Sequence, residues 1–260
     1  MKTAERYVKS YTAKSVSAFD MEKSNKIRHP EIDILRGIAL LMMLVLHVIW
    51  CMDYLDFNVN MNIYFIQPVV PALFLMLAGI SLHLSYCRNE NYKNWLKSSI
   101  RKNMILIALG LMITVISVIL FPNMPVIFGI LSCIGFSLFV GIIFMRLSVD
   151  MLVVSTIPVI VLGFFISNVG FENNYLLYII GFKTSISSLD YFPILPWLWC
   201  IMFGIILGKL WYPNGIRDFK INIPERLRLL NFMGKHSLAI YLIHMPIIYT
   251  IITFIKMLFP

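Results

Sequence analysis

Long apolar stretches separated by short polar ones fill the chain, at residues 34–52, 63–86, 104–121, 126–145, 151–167, 192–211 and 237–259. Most come close to the roughly 20 residues that a helix needs to cross a hydrocarbon layer. An eighth stretch, 175–182, is too short to span as a helix. Helices that are apolar on every side belong inside a large core or a bilayer, and a soluble chain of this length has nothing to cover seven of them. The pattern predicts an all-α fold, a polytopic transmembrane helical bundle of about seven spans plus one short re-entrant or interfacial segment. Residues 31–260 form the membrane domain. The preceding residues 1–30 are polar and read as a cytoplasmic N-terminal extension.

Composition sharpens this reading. Charged residues make up 13% of the 260, about half the share in an ordinary soluble domain, and mean hydropathy is +0.81. The net charge of +9 could suggest nucleic acid, but the basic residues lie in the connections, where they report topology and contact with anionic headgroups. No nucleic-acid partner is expected. The lipid bilayer is. Cys51, Cys87, Cys133 and Cys200 are scattered, without disulfide-framework or metal-ligand spacing. No metal site is predicted.

Loop charge then counts the crossings. Basic residues crowd the segment before residue 34, the stretch 88–102 (Arg88, Lys93, Lys97, Arg101, Lys102) and the stretch 217–235 (Arg217, Lys220, Arg226, Arg228, Lys235). Residues 51–62, 122–125 and 168–174 contain no Lys or Arg. The positive-inside rule puts the three basic segments in the cytoplasm. That holds only if residues 175–182 do not cross, which gives seven spans, a cytoplasmic N-terminus and an external C-terminus in the cell (plasma) membrane.

Ionisable residues inside the spans are costly and mark candidate sites. Arg36 and His47 are eleven residues apart, about three turns, so they share one helix face roughly 16 Å apart along the axis. An Arg at the boundary also serves as a snorkelling anchor, and a His in a span also cross-links helices. His47 is nonetheless deep, and imidazole exchanges protons near neutrality. His83 falls near a cytoplasmic end and reads as interfacial. Asp190 precedes the Pro193 and Pro196 that open the seventh span. It is either an ordinary helix start or a carboxylate that orients an imidazole, and the topology puts it on the same outer side as His47. In the last span, Tyr241 and His244 are i,i+3 neighbours about two turns in, with Pro246 following.

At these residues the chain resembles the bacterial and archaeal heparan-α-glucosaminide N-acetyltransferase-like membrane proteins. The likeness is carried by Asp33-Ile34-Leu35-Arg36-Gly37 with His47, Phe74-Leu75-Met76-Leu77-Ala78-Gly79, Phe128-Gly129-Ile130-Leu131, Asp190 to Trp197 with Gly204 and Gly208, and Gly234-Lys235-His236-Ser237 through Tyr241, His244 and Pro246. The Arg36–His47 spacing also looks like that of the wider transmembrane acyltransferase group that O-acetylates surface glycans. The resemblance implies an acetyltransferase that takes acetyl groups from cytoplasmic acetyl-CoA and modifies a glycan or amino-sugar acceptor, at an amine or hydroxyl, at or across the membrane. It departs at Ser132, where the family pattern leads us to expect a His.

On this reading His47, Asp190 and His244 are the catalytic candidates. Arg36, Arg226 and Arg228 are the candidates for holding CoA phosphates, which the guanidinium fork suits. The competing class is a proton-coupled or small-molecule transporter, for which buried His and Asp with Pro-broken helices are equally natural. No inverted repeat supports it. A second copy of the chain is a further candidate partner, as a homodimer. Single cysteines placed in the segment 217–235 are expected to react with membrane-impermeant maleimide only after the membrane is opened. Labelling in intact cells overturns the seven-span count.

Overall fold

A computed structural model of the protein describes residues 29–57, 65–171, 174–216 and 224–258. The expected extension lies outside the described residues as far as residue 28. Among the described residues there are nine α-helices, in order α1 (Pro30–Tyr54), α2 (Val69–Cys87), α3 (Tyr92–Leu120), α4 (Ile130–Phe144), α5 (Val149–Ser167), α6 (Tyr175–Ile180), α7 (Ile194–Trp211), α8 (Arg228–Lys235) and α9 (Ser237–Leu258). Six of them, α1, α2, α3, α5, α7 and α9, are long and apolar enough to cross a membrane, and α4 is a shorter apolar helix of 15 residues. The six residues of α6 cannot span. Large apolar side chains stay exposed along the apolar helices, among them Ile119, Phe164 and Ile143, each more than 70% accessible. Such faces suit lipid. The chain is a multi-pass membrane protein.

Apolar patterning marks how far a helix runs in hydrocarbon, not where the helix begins. Helix α3 starts at Tyr92, three turns before its apolar stretch, with the Asn91 side chain accepting the Lys93 N–H at 2.9 Å. Lys93, Lys97, Arg101 and Lys102, read from the sequence as loop, are therefore exposed positions on the first turns of α3. Helix α4 starts at Ile130 rather than 126, because the preceding backbone is held extended. The N–H of Val126 donates to Ser117 Oγ at 2.9 Å and that of Ile127 to Ser188 Oγ at 3.1 Å.

The described residues form two compact units, one from 29–57, 65–77 and 224–258, the other from 78–171 and 174–216, the division falling within α2. In the larger unit α3 lies along α4, α4 along α7 and α7 along α5. One charge is resolved inside it without an acid. Lys209, in the last turn of α7, donates to the carbonyls of Met145 (3.0 Å) and Leu147, filling acceptors that the end of α4 leaves open.

In the smaller unit α1 lies along both α8 and α9. Pro30 sits at the first helical position, and Glu31 and Asp33 follow in the first turn, where negative charge meets the positive end of the helix dipole. The crossing of α1 with α8 is backbone on backbone. A Cβ at Gly37 would collide with the carbonyl of Leu230, and a Cβ at Gly234 with the carbonyl of Asp33. Each helix thus supplies one glycine to the other's main chain, with Asp33 and Gly37 one turn apart, as are Leu230 and Gly234. Beyond this crossing Leu40, Met43 and Val70 form a small core with Phe74, Met233, Ile240 and Tyr241 against it. Filling a space this tight costs about 2 kcal/mol or more. Gly37→Val is expected to lower the thermal unfolding midpoint of the detergent-solubilised protein, while Val45→Ala, at an exposed position of the same helix, leaves it nearly unchanged.

Candidate functional site

The α1–α8 crossing and the small core beyond it set α1 and α9 side by side, and this brings His47 and His244 together. Their ring centroids are 4.8 Å apart and the planes meet at 84°, edge to face. Each ring is pinned to its own helix. His47 Nδ1 lies 2.8 Å from the carbonyl of Met43, one turn back, and His244 Nδ1 bonds the carbonyl of Tyr241. A carbonyl only accepts, so both Nδ1 atoms carry hydrogen and the neutral rings keep their lone pairs on Nε2. His244 is 6% exposed, and its Nε2 is buried without a hydrogen-bond partner. A buried polar atom left unpaired costs roughly 1–3 kcal/mol, which makes this nitrogen a candidate contact for a ligand group. The Tyr241 ring lies 5.3 Å from the His244 ring.

Three turns toward the start of α1, Arg36 keeps 30% of its side chain accessible and meets Asp33 Oδ1 at 3.5 Å. The ion pair is weak at that distance and exposure. His29, Glu31 and Asp33 are all buried beside it, with His29 Nδ1 3.4 Å from Glu31 Oε1. Sequence reasoning passed over His29 and Glu31. Their position just before an apolar run reads as an ordinary polar helix start, and nothing in periodicity distinguishes a buried first turn from a solvated one. Arg226, in a 3₁₀ turn, and Arg228, at the start of α8, are exposed.

Asp190 belongs to the other unit. Its carboxylate Oδ2 accepts the N–H of Ile130 at 3.2 Å, capping α4 where the N-cap residue, Gly129, has no side chain to do so. The segment around it is tied down by further bonds, with one isolated bridge between Phe128 and Tyr191. Ser188 Oγ donates to the Asp190 carbonyl at 3.0 Å, the Phe192 N–H donates to the Phe128 carbonyl at 3.0 Å, and Tyr191 OH donates to the Tyr178 carbonyl at 2.6 Å. Withdrawal from solvent pushes the Asp190 carboxyl up to about 6, against the opposing pull of the Ile130 N–H. Burial also raises the Tyr191 phenol.

Two further positions singled out in the sequence are buried. His83, read as interfacial, is 6% exposed, and its Nε2 lies 3.1 Å from the carbonyl of Tyr212. Gly208 leaves room for its side chain, since a Cβ there would stand 2.9 Å from His83 Cβ. Ser132 is buried at 2% on the first turn of α4, and a Cβ at Gly110 of α3 would run into its hydroxyl. The two helices close on a serine, and the space is filled. Among the described residues no group of three or more His, Cys, Asp or Glu is placed to hold a metal ion.

The family model described as heparan-alpha-glucosaminide N-acetyltransferase, catalytic, matches residues 28–246, a stretch that contains every residue of the His47–His244 pair, Arg36 and Asp190. No curated protein and no solved structure matches the chain.

The capping carboxylate has a measurable signature. A carboxyl raised above its ordinary value of 3.8 binds its proton more tightly in the folded state, so stability is expected to fall as pH rises from about 4 to about 6. Asp190→Asn keeps an acceptor for the Ile130 N–H and cannot titrate. Its unfolding midpoint should lose that part of the pH dependence, and an identical slope in both proteins rules out Asp190 as its source.

Proposed function

Because the chain belongs to the heparan-alpha-glucosaminide N-acetyltransferase catalytic family, we propose that it transfers an acyl group from cytoplasmic acetyl-CoA to an amine or hydroxyl of a sugar at or across the plasma membrane. The observation that carries this reading is the pair of imidazoles on separate spans, each holding its Nδ1 hydrogen on its own backbone and leaving Nε2 open. Nε2 of His47, on the half-buried ring, takes the proton of the acceptor N–H or O–H. The freed lone pair attacks the thioester carbonyl, the new C–N or C–O bond forms, and the C–S bond breaks. The departing thiolate recovers the proton from His47. A base held within reach of both partners contributes about 10²–10⁴-fold. His244, packed edge-on and more deeply buried, fixes the orientation of the His47 ring.

Arg36 lies about 16 Å along the same helix from His47, and on the expected topology it faces the cytoplasm. That separation suits a donor whose phosphates and reacting carbon are far apart. Arg226 and Arg228, exposed on the segment that leads into α8, add positive charge for the same phosphates. Asp190 serves through position, as the cap of α4.

Acetyl-CoA binding to the purified full chain tests the donor. The wild type is expected to bind, Arg36→Ala to bind about tenfold more weakly, a change of about 1.4 kcal/mol, and His47→Ala to bind nearly as the wild type does. Release of CoA with glucosamine as acceptor should fall at least 100-fold in His47→Ala, the loss of a general base. A wild type that does not bind acetyl-CoA rejects acyl transfer from it.

A further inference from the structure

Directly beyond the imidazole pair, α1 and α9 part to leave an apolar groove of about 250 Å³. Val48 and Met52 line it from α1, Ile248, Ile251 and Ile255 from α9, and Phe57 from the end of the α1 segment. The lining continues the face that carries the site. Val48 is the residue after His47, and Ile248, Ile251 and Ile255 follow His244 at intervals of four, three and four, the spacing of one helix face. No polar side chain lines it. In the residues that follow the lining on each helix, Lys256 donates to the Leu55 carbonyl at 2.7 Å and meets Asp56 Oδ2 at 3.6 Å.

The order along α1 is thus a cation, a base and an apolar slot: Arg36, His47, then the groove. A thioester with its phosphates toward Arg36 and its carbonyl at His47 would send whatever follows the carbonyl straight into that slot. An acetyl group would contribute one methyl there. An apolar cavity of about 150 Å³ already accommodates a benzene ring, so this groove has room for several more carbons. A chain anchored on the acceptor side fits the order less well, because the acceptor is expected to arrive from the end of α1 opposite Arg36, with its polar head leading.

We infer that the groove receives the hydrocarbon chain of the acyl group, making this protein a transferase for acyl groups longer than acetyl. The inference rests on the acyl-transfer reading of the His47–His244 pair and extends it. The bonds made and broken are the same. The groove changes only which donor binds well.

The test is equilibrium binding of acetyl-, butanoyl-, hexanoyl- and octanoyl-CoA to the full chain in nanodiscs. Each methylene moved from water to an apolar site is worth about a three- to fourfold change in affinity, so Kd is expected to tighten stepwise with chain length. Ile251→Trp, at a position half exposed to lipid, fills the groove and should cancel that gain while leaving acetyl-CoA binding in place. Val48→Trp fills it from the opposite helix and should do the same. Val45→Trp, on α1 but outside the groove, should leave the whole series as in the wild type. Acetyl-CoA binding with no dependence on length overturns the inference and leaves acyl transfer standing. A dependence on length that both groove variants retain also overturns it, since the chain then lies elsewhere and lipid fills the groove. Binding of the longer donors without acetyl-CoA supports the groove and removes acetyl as the donor. Failure of all four to bind overturns both readings.

Discussion

The crossing of α1 and α8 at Gly37 and Gly234 holds two main chains closer than any side chain would allow. Everything proposed for the site depends on it. Once α8 is seated on α1, the chain turns at His236 and sends α9 alongside α1, so that His244 arrives at His47. The small core of Leu40, Met43 and Val70 fills the space between the crossing and the imidazoles. Without hydrophobic driving force between helices in lipid, close backbone approach through small residues is what association has to rely on. The glycines on either side of Arg36 and Lys235 are therefore structural parts of the site, although neither reaches a reacting atom.

The second constraint is that polar groups within the bilayer find partners inside the protein. The described helices meet it mostly locally. Thr114 and Ser117 return their hydroxyls to carbonyls of their own helix, Ser117 also accepts from Val126, and Lys209 takes up the carbonyls at the end of α4. Asp190 caps the other end of α4 from sixty residues away. The buried Nε2 of His244 is one of several side-chain atoms among the described residues that do not meet this constraint, and it is the one that lies in the imidazole pair.

Much of the fold was legible in the chain. Seven apolar stretches and the failure of residues 175–182 to reach spanning length follow from the thickness and dielectric of a bilayer, which act on composition directly. Helix starts were less legible. Tyr92 opens α3 in polar sequence, and Val126 to Gly129 stay extended in apolar sequence, because capping and cross-strand bonds decide those ends and neither depends on hydropathy. The burial of His83 was not legible either: it is set by Gly208 and the Tyr212 carbonyl, more than a hundred residues away.

The candidate site divides in the same way. The sequence by itself determined that Arg36 and His47 share a helix face, since helical periodicity fixes that without any neighbour. It also singled out His244 and Asp190 as polar groups in or beside spans. Only the tertiary structure decided which of these meet. It set His244 against His47, gave Asp190 a cap to make in the other unit, and opened an apolar groove where the two imidazole-bearing helices part. Those outcomes depend on helix crossings and on backbone atoms without partners, and such relations between distant segments carry no local pattern for a sequence to display.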